Sequence, residues 1–83
     1  MKVKRIDLDD EEMPERITVE LTHDEAAYIA TLTGKQSFNS AEAITPRGGH
    51  LNSAVSSALN GVVFNRFYEN GTDEAVSVMR GRT

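Results

Sequence analysis

This chain has 83 residues, 39% of them hydrophobic, no cysteine, and a formal net charge of −4 at pH 7. A chain this short builds one small domain with a marginal core, and without cysteine it has no disulfide, no cysteine-ligated zinc and no thiol nucleophile, so we expect a homo-oligomer. It also lacks both a run of roughly 20 apolar residues that could cross a bilayer and an apolar signal-peptide core, which predicts a cytoplasmic protein without membrane contact.

Residues 1–14 predict a flexible acidic arm. The first 15 residues hold three basic and six acidic side chains, a balance of −3, and such a charged segment resists burial. Residues 15–83 are then expected to form a single α+β domain. That domain is nearly neutral and lacks the basic face that nonspecific DNA binding requires, so DNA is not expected as a partner.

A strand followed by a helix is the clearest pattern in the chain. Ile17, Val19 and Leu21 alternate with polar residues, as in a half-buried strand. Thr22 to Glu25 match a capping box, in which the Thr22 side chain accepts a hydrogen bond from the Glu25 N–H and the Glu25 side chain accepts one from the Thr22 N–H. This pattern predicts a helix start. Gly34 stands where a left-handed residue would end the helix.

The second half of the chain predicts a long loop, a long helix and a returning strand. Residues 35–49 lack a sustained apolar period, and within them we expect a short helical turn at 40–44. Phe38 is expected to fill the core, and stacking on a ligand is the alternative. Apolar residues at helical spacing then predict a helix that ends before Asn70-Gly71. Residues 75–79 are expected to return as an edge strand beside 17–21. A hairpin formed by residues 62–68 and 75–80 is the alternative.

The complete predicted fold is therefore a β-α-loop-α-β domain with a two-stranded antiparallel sheet and two helices. A stripe of small residues, Ser53, Ser57 and Gly61, lies on one side of the long helix. Such a stripe lets another helix approach closely, and that helix could belong to the same chain or to a second subunit.

The segment I-T-P-R-G-G-H-L-N-S, residues 44–53, contains the most informative candidate site. The first N–H groups of a helix lack intrahelical partners and carry the positive end of its dipole, so an arginine and two glycines there predict an anion pocket. An ordinary loop before a capped helix is the alternative. The candidate ligand-binding residues are Arg47, Gly48, Gly49, His50, Asn52, Ser53, Asn65, Arg66 and Tyr68.

Catalysis is not expected, because the chain contains no recognisable nucleophile, zinc or phosphate-loop motif. His50 with Glu42 or Glu69 is the least implausible acid–base pair. His23, in the first turn of the predicted helix, is interpreted as an exposed neighbour of the cap. We therefore expect neither a cofactor nor a metal ion.

Two family resemblances extend these interpretations. R-I-T-V-E-L, the following helix, Gly34-Lys35 and S-A-E-A-I resemble ribbon-helix-helix repressors, which implies that Arg16, Thr18 and Glu20 enter the DNA major groove. Against this, residues 46–49 would break the second helix early and the acidic Glu20 would oppose phosphate.

The second resemblance covers R-I-T-V-E-L-T-H-D-E-A-A-Y-I-A-T-L-T-G-K-Q-S and F-N-R-F-Y-E-N-G, which resemble segments of small phage proteins. Among these the chain is similar to anti-defence sponges of the Thoeris-inhibitor type. That resemblance implies a phage-encoded homo-oligomer that sequesters a cyclic or linear nucleotide in the host cytoplasm. A protein–protein inhibitor that blocks a host enzyme through the acidic arm or a helix face is a third expectation.

Overall fold

A computed structural model describes residues 1–82 and shows a β-hairpin followed by a cluster of helices. The two-stranded antiparallel sheet and the α+β class predicted from the sequence are confirmed. The elements are β1 (Lys2–Leu8), β2 (Pro14–Glu20), α1 (His23–Gly34), α2 (Phe38–Ile44), α3 (Gly48–Ser57), a π-helical segment (Ala58–Phe64), α4 (Asn65–Phe67) and α5 (Gly71–Gly81).

The N-terminal segment that the sequence predicts as a flexible arm is strand β1, paired antiparallel with β2. Val3 lies opposite Val19 and Ile6 lies opposite Ile17, and apolar pairs of this kind stabilise an antiparallel ribbon. The prediction was wrong because the acidic residues are concentrated in the turn, residues 9–12, and not in the strand.

The turn itself is organised by Asp9. Its carboxylate accepts hydrogen bonds from the backbone N–H groups of Glu11 at 2.9 Å and Met13 at 3.0 Å. An aspartate that bonds backbone groups two to four residues ahead stabilises a tight turn. Glu12 adopts a left-handed φ of 63°, which completes the reversal.

Helix α1 begins at the predicted capping box. The Glu25 N–H donates to Thr22 Oγ1 at 3.1 Å, and the Thr22 N–H donates to Glu25 Oε1 at 2.9 Å. Gly34 is the last helical residue, but it does not take the expected left-handed conformation. The helix closes instead with the Lys35 N–H donating to the carbonyls of Thr31 and Leu32.

The long helix predicted after Gly49 is present as α3, the π-helical segment and α4, which follow one another from residue 48 to residue 67. The returning strand expected at 75–79 is wrong, because these residues lie in α5. Ala75 and Met79, four positions apart, both face the core, so a helical period was mistaken for strand alternation. The sheet's second strand comes from the N-terminus. The alternative hairpin of residues 62–68 and 75–80 is also wrong.

The core is small and rich in alanine. Ala26, Ala27 and Ala30 of α1, together with Ala75 of α5, surround Phe64. The partly buried side chains of Leu21, Leu59, Tyr68 and Met79 pack against this cluster. Phe38, expected to fill the core, is half-exposed on α2.

Helices α2 and α3 meet through two glycines. A Cβ atom on Gly48 would overlap the backbone carbonyl of Ala41, and one on Gly49 would lie 2.5 Å from the Phe38 ring. Both glycines are buried. The Gly-Gly pair is therefore explained by the close approach of α2 to the start of α3.

We predict that Gly48→Ala destabilises the protein by about 2–3 kcal/mol, because backbone at Ala41 must move to admit the methyl group. Gly61→Ala is the matched control. A Cβ atom there meets nothing within 4 Å, so this change should stabilise by up to about 1 kcal/mol through helix propensity. Urea unfolding followed by circular dichroism measures both, and equal midpoints for the two variants would contradict the packing argument.

Candidate functional site

The start of α3, predicted as an anion pocket, is occupied by a carboxylate of the same chain. Glu42 Oε1 accepts a hydrogen bond from the Gly49 N–H at 3.2 Å, and the Gly48 N–H donates to the Thr45 carbonyl at 2.9 Å. Gly48 and Gly49 pack closely against α2, and their predicted role in ligand approach stays a prediction.

Arg47 is the exception in this segment. It is exposed and adopts a left-handed φ of 62°, a conformation that costs a non-glycine residue roughly 1–2 kcal/mol. Within residues 1–82 its guanidinium makes no hydrogen bond or ion pair. Arg47 thus remains free to bind an external anion.

The other predicted residues of α3 have structural contacts or face solvent. Asn52 Nδ2 donates to the Thr33 carbonyl at 2.9 Å and so ties α3 to α1. The His50 ring meets the Phe38 ring edge-on, with centroids 5.2 Å apart. Ser53 is exposed.

The second predicted group, Asn65, Arg66 and Tyr68, lies at the other end of the same helical stretch. Seventeen residues separate Gly48 from Asn65, a distance of roughly 25 Å along a helix axis. The Arg66 guanidinium stacks 5.5 Å from the Phe67 ring centroid. The structure therefore does not bring the two predicted groups into one site.

A polar network that sequence reasoning missed joins α1 to the C-terminal part of the chain. His23 Nε2 lies 2.8 Å from the Tyr68 hydroxyl, and His23 Nδ1 lies 2.8 Å from Asp24 Oδ1. The Arg82 guanidinium donates to the same Asp24 oxygen at 2.7 Å. The hydrogen bond from His23 and the positive charge of Arg82 lower the pKa of Asp24.

This network is interpreted as structural. Both ring nitrogens of His23 are engaged by internal partners, and the ring packs edge-on against Phe64 with centroids 5.6 Å apart. His23 does not line the groove between α1, α2 and α3 or the polar groove beside Lys35 and Asp73. The expectation that His23 is only an exposed neighbour of the cap is thus wrong: no local sequence pattern links it to Tyr68, 45 positions away.

Two grooves lie on the helical part. One, of about 220 Å³, runs between α1, α2 and α3 and is lined by uncharged side chains, including Ile44, Leu51 and Val55. The other, of about 210 Å³, is polar and includes Lys35 and Asp73. Both are smaller than the roughly 300–1,000 Å³ typical of small-molecule sites.

Comparison with protein-family models, with curated proteins and with solved structures finds no match to this chain. No helix in residues 1–82 has the length and apolarity needed to cross a membrane. The same residues contain no group of three or more side chains that could hold a metal ion.

We predict an acid-labile start of α1. A hydrogen bond from the N-terminal ammonium of Met1 and one from the Thr22 N–H lower the pKa of Glu25 from 4.5 to about 2. Because the folded-state pKa is the lower one, the stabilisation is complete above about pH 4.5 and is lost as pH falls toward 2.

Glu25→Gln tests this, since glutamine keeps the capping geometry but cannot titrate. Its melting temperature should fall less than that of the parent protein between pH 5 and pH 2, as followed by circular dichroism. Glu11→Gln, in the exposed hairpin turn, is the control. Identical pH profiles for Glu25→Gln and the parent would exclude the proposed linkage.

Proposed function

We propose that this chain is a non-catalytic binding protein, encoded by a phage, that captures an apolar segment of a bacterial host protein on its helical face. The observation that carries this proposal is the open groove between α1, α2 and α3. Ile44, at its edge, is 67% exposed, and Leu51 and Val55 on α3 continue the apolar lining.

The chemistry of the groove favours a protein partner over a nucleotide. None of its lining residues is charged, so it offers no counter-charge to a phosphate. Its polar side chains are limited to Thr33, Thr45 and Asn52, and the Asn52 amide already donates to α1. An apolar groove between helices suits the apolar face of an amphipathic helix.

The shape of the groove supports the same conclusion. It is open along the protein surface, so a peptide segment can enter sideways without any helix moving. The edge-on contact between the Phe38 and His50 rings joins α2 to α3 beside the groove. Because the groove is already formed in the unbound chain, binding carries a lower ordering cost.

A photo-reactive amino acid at Leu51, introduced into the protein in bacterial cells, tests the proposal. Irradiation should yield one adduct whose mass in mass spectra differs from that of a dimer of this chain. The added substitution Ile44→Asp should abolish this adduct. The same amino acid at Val62, exposed on the π-helical segment, is the control. Adducts of dimer mass alone, or equal adducts at both positions, would refute capture by the groove.

Sequestration of an anionic, nucleotide-like ligand is the second candidate, and the specific observation in its favour is Arg47. Its exposed guanidinium lies beside the start of α3, where backbone N–H groups add a positive potential. Glu42 counts against anion binding, because its carboxylate accepts the hydrogen bond of the Gly49 N–H and an anion would have to displace it. For this reason we rank the protein partner first.

If an anionic ligand is bound there, Arg47→Ala should lower the affinity for a nucleotide at least about 100-fold and leave the fold intact. Isothermal titration with a cyclic dinucleotide and with ADP-ribose measures the effect. Arg66→Ala, which removes a charge from the distant end of the helix, should bind as the parent does. Unchanged affinity in Arg47→Ala would exclude this candidate.

A further inference from the structure

The β-hairpin has one continuous apolar face. Val3 and Val19 pair across the strands, as do Ile6 and Ile17, and a register shift between Val3 and Arg5 places both pairs on the same side. These four side chains are 39–58% exposed. Leu21, in phase with Ile17 and Val19, continues the row to the edge of the core.

Nothing within residues 1–82 covers this face. Neither β1 nor β2 packs against a helix, so the hairpin projects from the helical cluster. A two-stranded hairpin without packing is marginally stable in water. The charged side chains pair with one another, Lys4 with Glu20 at 3.3 Å and Arg5 with Asp7 at 2.6 Å. The central Ile6 and Ile17 side chains remain 53% and 58% exposed beside them.

The chain exposes more surface than a compact monomer of its size. The accessible surface is 6,414 Å², whereas a compact monomer of this mass exposes about 4,900 Å². The radius of gyration is 14.6 Å against about 12 Å for a compact chain of this length. The excess of about 1,500 Å² exceeds the roughly 800 Å² per partner buried in a standard protein interface.

Charge is distributed along the hairpin in a self-complementary way. The turn carries four consecutive carboxylates, residues 9–12, whereas the opposite end carries Lys2 and Lys4 beside one carboxylate, Glu20, and so remains net positive. Two hairpins packed antiparallel place the acidic turn of each near the basic end of the other. A twofold arrangement of identical chains therefore satisfies both the apolar face and the charges.

From these observations we propose that the apolar face of the hairpin is the interface of a homodimer, covered by the same face of a second copy of this chain. The twofold axis passes near the Ile6–Ile17 pair, at the middle of the ribbon. This surface is separate from the groove of the helical part, so the dimer does not depend on the proposed function.

Sedimentation equilibrium of the parent protein and of Ile17→Asp is the first test. The parent should be a dimer, and Ile17→Asp should raise the dimer dissociation constant at least about 100-fold, because two carboxylates then face each other at the axis. The helical part should keep its circular dichroism signal, since the hairpin does not pack on it. A parent monomer, or a dimer unaffected by Ile17→Asp, would overturn the proposal.

A crosslinking experiment gives a second readout without disrupting the interface, and it exploits the absence of native cysteine. Stacked sheets lie about 10 Å apart, so Ile17→Cys treated with a short bismaleimide should yield a covalent dimer within minutes. Thr18→Cys, one residue along and on the opposite face, should not. Equal crosslinking of both variants, or crosslinking of Thr18→Cys alone, would overturn the face-to-face arrangement.

Charge reversal tests the antiparallel orientation. Lys2→Glu with Lys4→Glu should weaken the dimer at low ionic strength, and replacing residues 10–12 by lysine in the same chain should restore it, with Asp9 kept because its carboxylate holds the turn. Restoration by compensating charges distinguishes a charge pairing between copies from a general loss of hairpin stability. Failure of the second set of changes to restore the dimer would overturn the antiparallel orientation.

Discussion

The close packing of alanines around Phe64 is the constraint on which the rest of the structure depends. Three alanines of α1 and Ala75 of α5 let these helices approach the π-helical segment closely enough to bury that ring to 2% exposure. Alanine contributes little apolar area, however, and burial stabilises by only about 25 cal/mol per Å². A core of this kind is marginal for an isolated chain of this length.

The larger aliphatic side chains are consequently on the surface, where they form two separate apolar regions. One is the face of the β-hairpin, which we propose as the contact between identical chains. The other is the groove beside Leu51 and Val55, which we assign to a different protein partner. Self-association and partner capture can therefore coexist, because neither surface overlaps the other.

Several polar side chains of the helical part are engaged in hydrogen bonds within the chain. Glu42 accepts a hydrogen bond from the Gly49 N–H at the start of α3, and both ring nitrogens of His23 are bonded, one to Tyr68 and one to Asp24. These contacts hold short helices together where apolar burial is limited. Arg47 differs from them because its side chain is exposed and has no hydrogen-bond or ion-pair partner within residues 1–82, so its guanidinium is available to an anionic ligand.

Local physical chemistry made several features predictable. The Thr22–Glu25 capping box, strand β2 and the helix after Gly49 follow from side chains that act on backbone within a few positions. By contrast, the arm of residues 1–14 and the strand at 75–79 were mispredicted. The carboxylates of the turn led to the first error, although β1 and β2 are neighbours in the chain. The second arose because the packing of α5 on α1 joins residues distant in sequence.

The candidate site divides in the same way. The sequence by itself determined that an arginine and two glycines precede a helix, because that pattern is local. Only the tertiary structure decided that the glycines pack against α2 and that Glu42 caps the start of α3. It also decided that Tyr68 contacts His23, which lies 45 positions earlier in the chain. Such contacts depend on how helices cross, and no spacing within one segment encodes that geometry.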